Sequence, residues 1–71
     1  MTTISYENYL EDYRDLTPTM QRMVRRAATL ELESRGVEEI GSSDVSCVVF
    51  DLYKSLGSFE AVIRHGLDLL S

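Results

Sequence analysis

The densest group of reactive side chains in this sequence is a cluster of three arginines, Arg22, Arg25 and Arg26. A guanidinium is always charged and grips carboxylates or phosphates through a planar fork of donors. The cluster falls where the sequence predicts the first turns of a helix. A helix N-terminus carries partial positive charge and favours Asp or Glu, so this is an unfavourable place for cations. The cost implies a use. Either the arginines pair with carboxylates of the preceding segment (Glu11, Asp12 and Asp15), or they dock an acidic partner or a phosphate. Their spacing sets Arg22 and Arg26 one turn apart, with Arg25 three residues from Arg22, and predicts a shared face opposite Met20, Met23 and Ala27.

Two further groups are candidates for contact. Glu31, Glu33, Glu38, Glu39 and Asp44 surround a predicted turn. They read as a solvated helix end and loop, as a patch for a basic partner, or as an imitation of nucleic-acid phosphates. Such imitation ordinarily takes a denser array of carboxylates. Tyr6, Tyr9 and Tyr13, joined by Leu10, fall on one helical stripe. They suit a core whose hydroxyls reach water. They equally suit an interface, where tyrosine is enriched for being large, stiff and amphipathic.

Catalytic groupings are scarce. The one histidine, His65, stands between Arg64 and Gly66, and the one cysteine, Cys47, lies in the most apolar segment, where thiols are protonated and inert. There is no Ser-His-Asp grouping, no glycine loop for phosphates and no His-Glu metal spacing. Glu38 and Glu39 alternate in direction along an extended chain, so they do not converge on a substrate. The residues predict no enzyme, no metal site and no cofactor.

The elements that must position these groups are constrained by length. At 71 residues, 44% of them hydrophobic, the chain suffices for one domain, expected over 1–71. A domain this size buries only about 60% of the surface its unfolded chain exposes, so a second subunit or an obligate partner is a natural expectation. No internal disulfide can form from a single cysteine, no basic-then-apolar leader opens the sequence, and no apolar run approaches the ~20 residues of a membrane span. These features predict a cytoplasmic protein without a membrane partner. A net charge of −5 is poorly suited to general nucleic-acid binding, which needs many phosphate contacts.

Apolar spacing is helical almost throughout. Tyr6, Tyr9, Leu10, Tyr13 and Leu16 predict a first amphipathic helix, with Thr3 or Ser5 as its cap. Leu16-Thr17-Pro18 ends it, because the residue before proline is pushed out of the α region, and Thr17 and Pro18 then read as N-cap and N1 of a second helix. That helix runs to about Arg35, with Met20, Met23, Val24, Ala27 and Leu30 on its apolar face. Gly36 suits the left-handed position after it, and Val37 the hydrophobic position of a Schellman motif, packing near Leu32. Val37–Ile40 reads as a short extended bridge. A serine cap and Asp44 start a third helix, roughly 44 to 56, that is apolar on nearly every side. Its β-branched and aromatic residues would also suit a strand, but the caps, the length and Gly57 favour helix. Such a helix must be central or buried in an interface, which makes residues 45–56 the expected surface of a homodimer. Ser58 caps a fourth helix to Leu70, striped by Phe59, Val62, Ile63, Leu67 and Leu70, with Gly66 allowing close packing. The predicted fold is all-α, a compact bundle of four short helices.

Pro18, the Met-Val-Arg-Arg-Ala-Ala run, Gly36-Val37-Glu38-Glu39-Ile40 and Asp44-Val45 together resemble the small helical C-terminal module of light-independent protochlorophyllide reductase B subunits. The likeness covers residues 18–45 and implies a detached accessory helical module without an active site. Similar patterns of helix, turn, bridge and capped helix occur in histone-like folds.

These readings predict a small protein-interaction module, acting as adaptor, assembly factor or regulator, that binds another protein through Tyr6, Tyr9, Tyr13, Arg22, Arg25 and Arg26. The alternatives are an acidic inhibitor of a nucleic-acid-processing complex, of the kind phages encode, and a small nucleic-acid-binding dimer led by the arginines.

Overall fold

The computed structural model describes residues 6–71, which form four helices: α1 (Tyr6–Asp15), α2 (Pro18–Ser34), α3 (Ser42–Leu56) and α4 (Phe59–Leu70). The expected all-α bundle is the observed one. Thr3 and Ser5, the expected caps of α1, lie outside the described residues.

Local chemistry fixes most of the boundaries. Thr17 caps α2, its Oγ1 accepting from the Met20 N–H at 3.1 Å, with Pro18 at the first helical position where its missing N–H costs nothing. The other end is a full Schellman motif. The Val37 N–H donates to the Leu32 carbonyl at 3.2 Å and the Gly36 N–H to the Glu33 carbonyl at 3.0 Å, with Gly36 at φ +83°. Ser58 caps α4 by accepting from the Ala61 N–H at 3.2 Å. The start of α3 differs from the expected serine cap. Gly41 holds the N-cap position, and Asp44 accepts the Gly41 N–H at 3.1 Å, so only the carboxylate half of a capping box is made. A device not anticipated is Gln21, whose side-chain amide donates to the carbonyls of Tyr13 and Leu16 at 3.0 and 3.4 Å and clips the end of α1 to α2.

Val37–Ile40 bends at Glu38 and Glu39 and pairs with no strand among the described residues, while Ile40 packs on the core. That core gathers Tyr9 of α1, Val24, Ala27, Ala28 and Leu32 of α2, Val45, Val48, Val49, Leu52 and Tyr53 of α3, and Phe59 and Val62 of α4. The central helix is α2, which packs against both α3 and α4. At its crossing with α4, Gly66 lies so close to Ala27 that a Cβ on Gly66 would fall 2.6 Å from the Ala27 Cβ.

Two expectations about faces are corrected. α3 is amphipathic, not apolar all round: its buried residues face its own bundle, while Ser46, Cys47, Asp51, Lys54 and Ser55 are exposed. Most of the apolar side of residues 45–56, the expected homodimer surface, is thus spent on the core, and Leu56, 41% exposed, is the large apolar side chain of α3 left on the outside. Conversely, Met23, Leu67 and Leu70, set by the sequence on apolar helix faces, are 40%, 55% and 61% exposed. Four short helices cannot cover every apolar stripe they carry.

Candidate functional site

The stripe Tyr6, Tyr9, Leu10 and Tyr13 of α1 forms one wall of a cleft of about 330 Å³. Arg25 of α2 and Ser46, Cys47 and Phe50 of α3 complete it. Four of the six expected contact residues thus converge on one opening. Period 3.6 brings the α1 residues to one side, and the same period places Ser46 and Phe50 one turn apart on α3.

The walls are held by aromatic packing. Phe50 meets Tyr6 edge-on at 5.3 Å between centroids and Tyr9 at 4.9 Å. Tyr9 continues inward to Tyr53 at 5.6 Å and Phe59 at 5.7 Å, and Tyr53 and Phe59 are 4.5 Å apart. On its other side Phe50 carries the Lys54 ammonium 4.6 Å from the ring centroid. Tyr53 donates its hydroxyl to the Asp12 carboxylate, which fastens α1 to α3 from below. That bond, then burial and the carboxylate's charge, raise the Tyr53 pKa above its ordinary 10.0. Burial, with the neighbouring Tyr13 and Tyr6, raises Tyr9 likewise, against an opposing pull from Arg25. Both phenols therefore stay neutral well into alkaline pH, and neither is poised as a base.

The three tyrosines do not share one role. Tyr6 is 58% exposed, Tyr13 is half-buried, and Tyr9 is a core residue only 7% exposed. Tyr9 lines the cleft, but most of its ring is enclosed by Phe50, Tyr53 and Phe59.

The arginines diverge as well. A step of one residue turns a helix by about 100°, so Arg25 and Arg26 leave α2 in different directions. Arg25, half-buried, reaches the cleft, where its Nη1 donates to the Ser46 hydroxyl at 3.5 Å. Arg26 turns the other way and joins Met23, Ala27 and Leu30 along a groove against α4, so the cluster is not opposite the Met23 side as expected. Arg22 and Arg26 are exposed and make no hydrogen bond or ion pair among the described residues. No arginine of the cluster pairs with Glu11, Asp12 or Asp15; the ion pairs among the described residues join Arg35 and His65 to Glu31, and Lys54 to Asp51. The reading of the cluster as neutralised by α1 is therefore overturned. Asp12 is occupied by Tyr53 instead.

The acidic group also divides. Glu33, Glu38 and Glu39 are exposed, Asp44 caps α3, and Glu31 is enclosed between α2 and α4. Glu31 Oε2 lies 3.2 Å from His65 Nε2 and Oε1 lies 3.3 Å from Arg35 Nη2. Burial works to raise its pKa, but the hydrogen bond and charge of His65 and those of Arg35 outweigh it, leaving the value below the ordinary 4.5. Cys47, expected to be buried and inert, is exposed on the cleft rim. Among the described residues no three His, Cys, Asp or Glu side chains are grouped to hold a metal ion.

No family model matches the chain, nor does any curated protein or solved structure. The cleft must accordingly be interpreted from its own chemistry. No described helix is long and apolar enough to cross a membrane.

One titration follows from Glu31. Its folded pKa is lowered, so the charged carboxylate stabilises the fold above its unfolded value near 4.5 and that contribution is lost as pH falls through the folded value. Glu31→Gln should therefore lose more stability at about pH 6 than at about pH 3. Urea midpoints at the two pH values measure this, and an equal loss at both would mean that the carboxylate charge contributes nothing.

Proposed function

We propose that this chain is a non-catalytic interaction module that binds another protein through the cleft between α1, α2 and α3, and that it works in the cytosol. The observation that carries this reading is the convergence of Tyr6, Tyr13 and Arg25 on one opening, with an Arg25 guanidinium that makes no ion pair among the described residues. A half-buried cation beside aromatic walls favours a short segment carrying a carboxylate next to an apolar side chain. The carboxylate would take the guanidinium and the apolar group the exposed faces of Tyr6 and Phe50. The likeness of residues 18–45 to an accessory helical module points to the same class of role.

The other two classes draw less support. A phosphate-mimicking surface would have to rest on Glu33, Glu38 and Glu39, since Glu31 and Asp44 are engaged within the fold. A nucleic-acid surface would need the arginines on one face, and they leave α2 in different directions.

The exposed thiol on the cleft rim makes the test site-specific. A photo-crosslinker attached to Cys47 should capture a partner, and Arg25→Glu should weaken that capture at least about tenfold, since like-charge juxtaposition is strongly unfavourable. Tyr6→Ala should weaken it as well. Capture that survives both substitutions undiminished would refute the assignment to this cleft.

A further inference from the structure

The outer face of α2 and the adjoining face of α4 form a second surface, separate from the cleft. Met23 and Leu30 of α2 face Ile63, Leu67 and Leu70 of α4 across a shallow groove of about 70 Å³, with Arg26 on its rim. Ala27 and Gly66 touch at its floor and close it from below. Three of these apolar side chains, Met23, Leu67 and Leu70, are 40% to 61% exposed. The groove is too small to swallow a bulky side chain, so its occupant must present a flat apolar face.

Charge along α2 says which face. Arg22 and Arg26 occupy its N-terminal half without a hydrogen bond or ion pair among the described residues. At its C-terminal end stands Glu33, followed by Glu38 and Glu39 in the loop, all exposed and without an ion pair among the described residues. Glu31 is not part of this set, being held by His65 and Arg35. The outer surface is thus basic at one end, apolar along its flank and acidic at the other end. Turned end for end, it complements itself.

We propose that the α2–α4 face binds a second copy of this chain, with the two α2 helices antiparallel. Arg22 and Arg26 of each copy then meet Glu33 and the acidic loop of the other, and the Met23, Leu67 and Leu70 surfaces cover one another. A two-fold interface uses the same patch twice, so each favourable charge contact occurs in duplicate. The net charge of −5 on each copy repels at long range, but salt at about 0.15 M screens beyond roughly 8 Å, and contacts at the interface decide the outcome. The two-fold axis leaves the Tyr6 and Arg25 cleft open on both copies.

The test is a charge swap read by analytical ultracentrifugation of the full chain. Wild type should be dimeric at micromolar concentrations. Arg22→Glu/Arg26→Glu and Glu33→Arg/Glu38→Arg should each raise the dimer dissociation constant at least about tenfold, because like charges then face one another on both arms. Mixing the two variants should restore a one-to-one heterodimer within about threefold of the wild-type affinity, since every contact is again of unlike sign. All four positions are exposed, and circular dichroism checks that each variant keeps its helices. A wild type monomeric at about 200 μM overturns the proposal, and so does a dimer indifferent to either reversal or a mixture that fails to associate. None of these outcomes bears on capture at Cys47, so this surface and the cleft stand or fall separately.

Discussion

Replacing Tyr9 by alanine should remove about 3–5 kcal/mol, the range seen when a buried aromatic ring is cut back to a methyl group. Small domains have only ~5–15 kcal/mol to lose. The ring is the one buried residue of α1, and it contacts Phe50, Tyr53 and Phe59 at centroid distances between 4.9 and 5.7 Å. Without it α1 keeps the half-buried Leu10 and Tyr13, the Tyr6–Phe50 edge contact, the Asp12–Tyr53 hydrogen bond and the Gln21 clip, none of which buries an α1 side chain as fully. We therefore expect α1 to detach or the whole domain to unfold, with a fall in helical circular dichroism. Tyr9→Phe should differ from wild type by less than about 1 kcal/mol, because the Tyr9 hydroxyl makes no hydrogen bond among the described residues. An alanine variant with the wild-type urea midpoint would show that α1 is not anchored by this ring.

Gly66→Ala should also destabilise, against the ordinary preference for alanine in helices. Propensity alone favours the change by ~1 kcal/mol. The new Cβ, however, would lie 2.6 Å from the Ala27 Cβ and 2.9 Å from its Cα. The second of these is backbone, so relief requires α2 and α4 to move apart along their whole crossing, which loosens Val24, Ala28 and Val62 as well. Overpacking costs ~1–3 kcal/mol in general, and a backbone clash belongs at the upper end. The net expectation is a loss of about 2 kcal/mol, or roughly 8–16 °C in melting temperature for a domain of this length. Ala27→Gly in the same chain removes the closer contact, so the double variant should be more stable than the sum of the two single losses. Calorimetry that finds Gly66→Ala more stable than wild type would mean that the helices are not in contact at this point.

Much of this architecture could be read from local chemistry. Thr17-Pro18, Gly36-Val37 and Ser58 declare helix ends through bonds that span only a few residues, and each acts as the sequence suggests. Gly66 announced a close approach for the same reason: a missing Cβ on an apolar stripe has few other uses. Tertiary competition is what the sequence does not encode locally. Met23, Leu67 and Leu70 share the periodicity of their buried neighbours, and periodicity marks a face without saying whether the bundle has enough area to cover it. For α3 the error was opposite, since its outward residues Ser46, Asp51, Lys54 and Ser55 are few enough to be hidden among valines in a linear reading. The split between Arg25 and Arg26 was legible in principle, because adjacent residues on a helix differ by about 100°. The pairing of Glu31 with His65 was not, as 34 residues separate them and only the α2–α4 crossing brings them together.

The aromatic cluster has an optical consequence. The chain contains no tryptophan, so its ultraviolet emission comes from its four tyrosines. A phenol that donates to a carboxylate loses excited-state energy to proton transfer, and Tyr53 does so to Asp12 in the folded chain. Tyr9 lies within 5.6 to 6.2 Å of Tyr6, Tyr13 and Tyr53, close enough for excitation to pass between the rings and drain toward that dim member. The folded domain should therefore be the darker state, and release of α1 should raise its tyrosine emission.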